Sequence, residues 1–223
     1  MIDDIIDFFL PKRCAVCGEL ETHLCNRCER ELGLATQICP ICEEESVMGW
    51  THKTCQKKLG MDGLISLFEY GDPGVRCVID GIKYEFNKYL VGRLFEKMAI
   101  ETGVSFDYLV PVPLYFYRQN WRGFNQAELI AIELQKQIGG EVVSLLVRKK
   151  NTKQQALMKS REERQKNIKD AFALDLSSQI SDIRGKNILL IDDVFTTGSN
   201  MKECCKVLKK AGVETVWGFV LGH

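Results

Sequence analysis

An apolar run, Ile188 to Ile191, leads straight into two adjacent acids, Asp192 and Asp193. A turn of small hydroxyl residues around a glycine follows: Thr196, Thr197, Gly198, Ser199 and Asn200. If the run is a strand and a helix begins near Asn200, backbone N–H groups and the positive helix end face an anion, and the hydroxyls add donors. A phosphate fits such a turn. Open α/β sheets bind ligands at the carboxyl ends of their strands, which is where the two acids fall. Carboxylates beside a phosphate repel it unless they accept hydrogen bonds from sugar hydroxyls or share a divalent cation. A phosphorylated ribose answers both demands, whereas capping a helix uses only one acid.

The cysteines form a second pattern. Seven of the ten precede residue 56, six of them in three Cys-x-x-Cys pairs. Cys14-x2-Cys17-x7-Cys25-x2-Cys28 offers four thiolates in two knuckles, enough to close a tetrahedral zinc site with no open position. Cys39-x2-Cys42 is a third knuckle, and His52-x2-Cys55, after nine intervening residues, completes a set of three cysteines and one histidine. Closed four-ligand sites supply folding energy and leave no place for substrate, so two structural Zn2+ ions are expected. His23 reads as a surface residue, and Cys77, Cys204 and Cys205 as buried small hydrophobes.

Positive charge gathers in two places. Pro111-Val112-Pro113 stiffens the exit of an apolar run, and Arg118, Arg122, Gly123 and Asn125 then precede a helical pattern. Arginines there suit a pyrophosphate, or else they are solvated surface residues. Between Arg148 and Lys169 nine basic residues face only Glu162 and Glu163, a net of +7 in a chain whose formal charge is zero. That segment is either the footprint of a phosphate-bearing partner or a solvated face.

The elements that must position these groups alternate. Strands are expected at Leu64–Tyr70, Tyr108–Val112, Val142–Val147, Asn187–Val194 and Thr215–Leu221. Helices are expected at Val75–Ile82, Tyr89–Thr102, Asn125–Ile138 and Asn200–Ala211. Such alternation predicts an α/β domain with a parallel sheet covered on both faces, and the near-continuous apolar runs suit central strands. Residues 1–60 lack the periodicity for a core of their own and read as a cysteine-rich module, and residues 61–223 as a single domain. With 45% hydrophobic and 27% charged residues, dominant disorder is excluded, and no apolar run approaches the roughly 20 residues of a membrane span. Met1–Leu10 carries Asp3, Asp4 and Asp7 without a basic start, and so reads as a short amphipathic helix rather than a signal peptide. Reduced, metal-binding thiols and a cytoplasmic location are expected.

The acid pair and its turn resemble the PRPP-binding signature of type I phosphoribosyltransferases. Phe195 stands where a smaller aliphatic is usual, and Asn200 replaces the usual closing threonine. Over nearly the whole chain the sequence resembles the ComF family of competence proteins. That resemblance rests on the cysteine pairs, Lys83-Tyr84, Val110 to Pro113, Arg122 to Gln126, the Gln155, Arg161 and Asn167 series leading to Ala171-Phe172, and the Asp-Asp turn. It implies a phosphoribosyltransferase-like parallel sheet with helices on both faces, joined to an N-terminal double zinc ribbon, in which ribbons commonly end in cysteine pairs where this chain has His52. It implies that Asp192 and Asp193 hold the ribose 2′ and 3′ hydroxyls, that Thr196 to Asn200 hold the 5′-phosphate, and that Arg118 and Arg122 serve the pyrophosphate, with Mg2+ accompanying PRPP. A mobile loop in the basic segment would close over the site. The partners implied are PRPP or a related phosphoribosyl ligand, single-stranded DNA held weakly through its phosphates, and a competence helicase or another DNA-uptake protein. Two roles follow from the same resemblance: handling of incoming single-stranded DNA in natural transformation, or active phosphoribosyl transfer to an acceptor in nucleotide metabolism. The fold alone does not choose between them.

Overall fold

Strands whose residues are apolar on both sides must be covered on both sides, and the two longest strands of this chain show the consequence. The computed structural model describes residues 12–84, 88–96, 100, 102–115, 123–150, 167–177 and 182–223. Its main sheet is built from β1 (Gly63–Phe68), β2 (Tyr108–Pro111), β3 (Glu141–Val142), β6 (Asn187–Val194) and β7 (Thr215–Gly222), in the order β1-β7-β6-β2-β3. All four pairings are parallel. Successive residues alternate between faces. Leu189, Ile191, Trp217, Phe219 and Leu221 therefore enter one core, and Ile188, Leu190, Val216 and Val220 the other.

The first face is covered by α2 (Pro73–Tyr84), α3 (Lys88–Phe95) and α4 (Gln126–Ile138), and the second by α5 (Ser199–Lys210). Their apolar residues recur with helical spacing: Val75, Val78, Ile79 and Ile82 on α2, and Met201, Cys204, Cys205 and Leu208 on α5. Asn125 caps α4 by accepting a hydrogen bond from the Ala127 backbone, and its amide donates to the Val112 carbonyl 3.1 Å away. One buried side chain thus ties the exit of β2 to the start of the next helix.

The expected strand Val142–Val147 is two elements in two sheets. Glu141–Val142 is β3, beside β2, whereas Leu146–Arg148 is β4 and pairs antiparallel with β5 (Phe172–Leu174). Ser144 is exposed between them and marks where the chain leaves the main sheet. Helix α3 ends at Phe95, earlier than the expected Thr102, and the chain at Thr102 is not helical. Cys77 is exposed on α2 instead of buried, while Cys204 and Cys205 are buried as expected.

The cysteine-rich segment, which holds the six-residue α1 (Asn26–Glu31), packs on this framework. Leu24, Cys25, Cys28 and Leu32 belong to the same buried cluster as α2 and α3. Further along, the Gln37 side-chain amide brackets Ser66 of β1, donating to its carbonyl and accepting from its N–H, and Trp50 bridges to Gly63 and stands edge-on to Trp217 at 4.6 Å. A Cβ at Gly63 would lie 2.3 Å from the Trp217 ring, so only glycine lets that indole fill the gap. These contacts also cover β1, the edge strand of the main sheet.

Candidate functional site

The strand tips converge on the acids. Side chains at Asp192 and Asp193 leave β6 toward opposite faces by the strand's own alternation. Asp193 falls on the α2 side, where the Lys83 ammonium lies 3.2 Å from its carboxylate, with both side chains less than one-fifth exposed. Burial alone would lower the lysine's affinity for its proton, but the Asp193 charge outweighs it and holds Lys83 above its ordinary value. Asp192 falls on the opposite side, half-buried toward β4 and α5. Burial first, and then the Asp193 charge, push its carboxyl up to about 7, while the Asp193 backbone N–H, then Lys83 and Arg148 of β4, pull it back down. The result is an asymmetric pair: one carboxylate neutralised by a fixed cation, and one whose charge is poorly met by the protein.

Beyond the acids, the Phe195 backbone donates to the Gly222 carbonyl at 2.9 Å, and the Phe195 ring is buried under the turn. Gly198 has a φ of 64° and directly precedes α5. A Cβ there would meet the Phe195 ring at 2.2 Å, so the turn requires glycine for both its conformation and its space. Thr197 and Ser199 are buried with their hydroxyls 2.7 Å apart, Thr196 is exposed and Asn200 is half-buried. The Lys202 ammonium donates to the Thr197 carbonyl at 3.1 Å, lies 5.1 Å from the centre of the Phe195 ring and is 3.8 Å from Glu43. Glu43 directly follows the knuckle Cys39-x2-Cys42, so the second metal module leans on the turn through one lysine.

The structure thus gathers Asp192, Asp193, Thr196, Thr197, Gly198, Ser199 and Asn200 at one sheet edge. Arg118 and Arg122 lie outside the described residues, although Asn125 fixes the base of the segment that carries them. Most of the basic stretch, including Lys153, Lys159, Arg161, Arg164 and Lys166, is likewise outside. Within the described part, Arg148 sets its charge toward Asp192, while Lys149, Lys150 and Lys169 are exposed. Lys83 is the site residue that the sequence does not single out by chemistry, since an isolated lysine at the end of an amphipathic helix carries no sign of its partner.

The metal sets fit zinc. In each of the groups Cys14, Cys17, Cys25, Cys28 and Cys39, Cys42, His52, Cys55, the ligand atoms lie within 4.8 Å of one another. Cys17 and Cys25 sulfurs are 3.8 Å apart. Tetrahedral bonds of about 2.3 Å place sulfurs about 3.8 Å from each other. His52 turns Nδ1 toward the Cys42 sulfur at 3.4 Å, and its Nε2 lies 3.1 Å from the Glu45 carbonyl. Donation to that carbonyl fixes the tautomer that leaves Nδ1 free to ligate, the usual support for a metal-binding histidine. Burial disfavours the Cys14 and Cys39 thiolates, yet backbone N–H groups of their own knuckles and of the facing Cys25 and His52 bring them to about 6 and about 7. His23 is no ligand: it stacks on Tyr89, ring centres 5.4 Å apart.

Sheet, acid pair, turn and paired knuckles together define an α/β domain of phosphoribosyltransferase type joined to a double zinc ribbon. Residues 122–221 match the family model described as the phosphoribosyl transferase domain, and residues 5–59 that of the double zinc ribbon domain. Over most of its length the chain is a homologue of competence and DNA-utilisation proteins. It is 29% identical to Competence protein F of Haemophilus influenzae, covering 94% of this chain and 97% of that one. It is 28% identical to DNA utilization protein YhgH of Escherichia coli K12 (86% and 87%), and 26% to Competence protein ComFC of Bacillus subtilis (89% and 83%). Among solved structures, the allosteric regulatory enzyme of purine biosynthesis is matched at 17% identity and a TM-score of 0.36, over 60% of this chain and 25% of that one. Among the described residues, no helix is long and apolar enough to cross a membrane.

Proposed function

We propose that this protein binds PRPP or a related phosphoribosyl ligand at the tip of β6 and acts in the handling of incoming single-stranded DNA during natural transformation. The observation that carries the reading is the asymmetric acid pair directly before a glycine-required turn at a helix start. Vicinal ribose hydroxyls supply donors to both carboxylates, and a 5′-phosphate meets the N-terminal end of α5. Mg2+ fits the same edge: Asp193 is already neutralised by Lys83, whereas Asp192 offers a poorly compensated carboxylate, and Mg2+ is commonly held by one or two carboxylates together with substrate phosphates. Bound there, it would screen the pyrophosphate charge. Arg118 and Arg122 are assigned to that pyrophosphate, on a segment anchored by Asn125.

Names of the relatives, competence and DNA utilisation, favour the DNA role over base salvage. Clustered thiolates stay free to hold zinc most readily in a reducing compartment, which supports a cytoplasmic location. The second reading, phosphoribosyl transfer to an acceptor, is favoured by Arg148, which a separate two-stranded sheet brings toward Asp192.

Calorimetry with PRPP and Mg2+ tests the site. Asp192→Asn combined with Asp193→Asn should abolish binding while leaving zinc content unchanged. Equal affinity in parent and double variant would show that this turn is not the ligand site. Release of pyrophosphate from PRPP in the presence of candidate acceptors would establish transfer.

A further inference from the structure

A cleft of about 870 Å³ lies between the second zinc ribbon, the exposed side of α5 and the residues just before β5. Its rim carries Lys57, Lys169, Lys202, Lys206 and Lys210 against Asp170 and Glu203, an excess of positive charge in a chain with none overall. Glu203 is already engaged: it accepts from the Asp170 backbone at 3.0 Å and pairs with Lys206 at 3.0 Å. Lys57, Lys169 and Lys210 are exposed, and among the described residues no carboxylate pairs with them. Leu59, Met61 and Ile168 give the cleft an apolar floor.

Its position gives the charge a meaning. Ser199, a member of the phosphate-type turn, lines one end, and Lys210, the last residue of α5, lines the other. A helix of that length runs about 18 Å at 1.5 Å per residue. The cleft is therefore long enough for several consecutive phosphates, and it opens onto the site where a phosphoribosyl group is proposed to sit.

We propose that this cleft is the path of the sugar–phosphate backbone of a single-stranded nucleic acid, entering from the phosphoribosyl site and running along α5 beneath the second zinc ribbon. This rests on the DNA-handling reading above and gives it a location. Recognition is by phosphate charge. Among the described residues no aromatic side chain lines the cleft as a stacking platform, so binding is indifferent to base sequence. The second ribbon then has a task beyond its own folding: it forms one wall of the path and sets Lys57 opposite Lys206 and Lys210.

The test is binding of a fluorescein-labelled oligothymidylate to the zinc-loaded full chain across a salt series. The variant Lys57→Gln/Lys169→Gln/Lys210→Gln removes the three lysines that lack carboxylate partners. A matched control, Arg76→Gln/Lys136→Gln/Arg184→Gln, removes equal charge elsewhere. At about −0.7 per phosphate contact on single strands, the cleft variant should lose about 2 from the log–log salt slope and bind more weakly, while the control keeps the parent's slope. PRPP affinity should be the same in all three proteins, which also reports that they are folded. Parent-like binding and slope in the cleft variant would overturn the path and leave the DNA-handling reading standing. Absence of salt-sensitive oligonucleotide binding by the parent would overturn both. Polyglutamate of equal charge binding the parent as tightly as the oligonucleotide would overturn the assignment to nucleic acid.

Discussion

Asp192→Asn should make the protein more stable, and more so at higher pH. Burial and the neighbouring Asp193 charge move the Asp192 carboxyl from an ordinary 3.8 up to about 7. The folded chain therefore keeps this proton to higher pH than the unfolded chain does. Stability contributed through the group falls as pH rises from about 4 to about 7 and is level above that. At about 1.4 kcal/mol per pH unit, the charged form lowers stability by a ceiling of about 4 kcal/mol. Asparagine keeps an oxygen to accept from the Asp193 backbone, which now donates to Asp192 at 3.0 Å, and removes the charge. Urea unfolding of zinc-loaded parent and variant, without PRPP, measures the gap between them. Between about pH 5.5 and about pH 8.5 the gap should widen by at most about 2 kcal/mol, and by about 1 kcal/mol once partial solvent access is allowed for. Titration of the zinc ligands cancels in the difference. A gap that stays constant or narrows with pH would refute the assignment of a poorly compensated charge at Asp192, whatever the variant does to PRPP binding.

Gly198→Ala should destabilise the fold by about 2 kcal/mol, because a left-handed residue gains a Cβ that collides with a buried ring; it should also weaken PRPP binding, and unchanged urea midpoint and affinity would contradict the turn geometry. Metal analysis should find close to two zinc ions per chain, falling to about one in His52→Ala, and an unchanged content in that variant would remove His52 from the ligand set. Cys14→Ser should lower the melting temperature by about 10 °C. Loss of the first site frees Leu24 and Leu32 from the core, at about 2 kcal/mol each, and about 2–4 °C follows each kcal/mol in a domain of this size.

What the sequence makes legible is what short spans determine. The turn from β6 to α5 is constrained by adjacent residues: an apolar strand, two acids, a glycine and small hydroxyl residues. The knuckles carry their ligands two residues apart. The run Val142 to Val147 is different, because either sheet can take a short apolar segment and only the partner strand decides which does. Period-2 patterning cannot reveal that β4 abandons β3's neighbour for β5, a partner supplied from beyond the basic stretch. Cys77 fails for a related reason: its residue type favours burial, but the helix phase that buries Val75, Val78 and Ile79 turns it to solvent.

The least legible feature is the dependence of the site on distant elements. Lys83 reaches Asp193 only because α2 packs its apolar stripe on the first face of the sheet and stops where β6 stops. Arg148 acts on Asp192 only because β4 leaves the main sheet. Lys202 braces the turn from within α5, and Glu43 of the second ribbon lies close enough to bias it. Asp193 is thus answered by a cation from one layer and Asp192 only in part by a cation from another, while the metal modules brace the surroundings: the first ribbon shares the core of α2, and the second touches the turn. Loss of either metal should then reach the acid pair by a separate route. Removal of the first acts through the packing of α2 and Lys83, and removal of the second through Glu43 and Lys202.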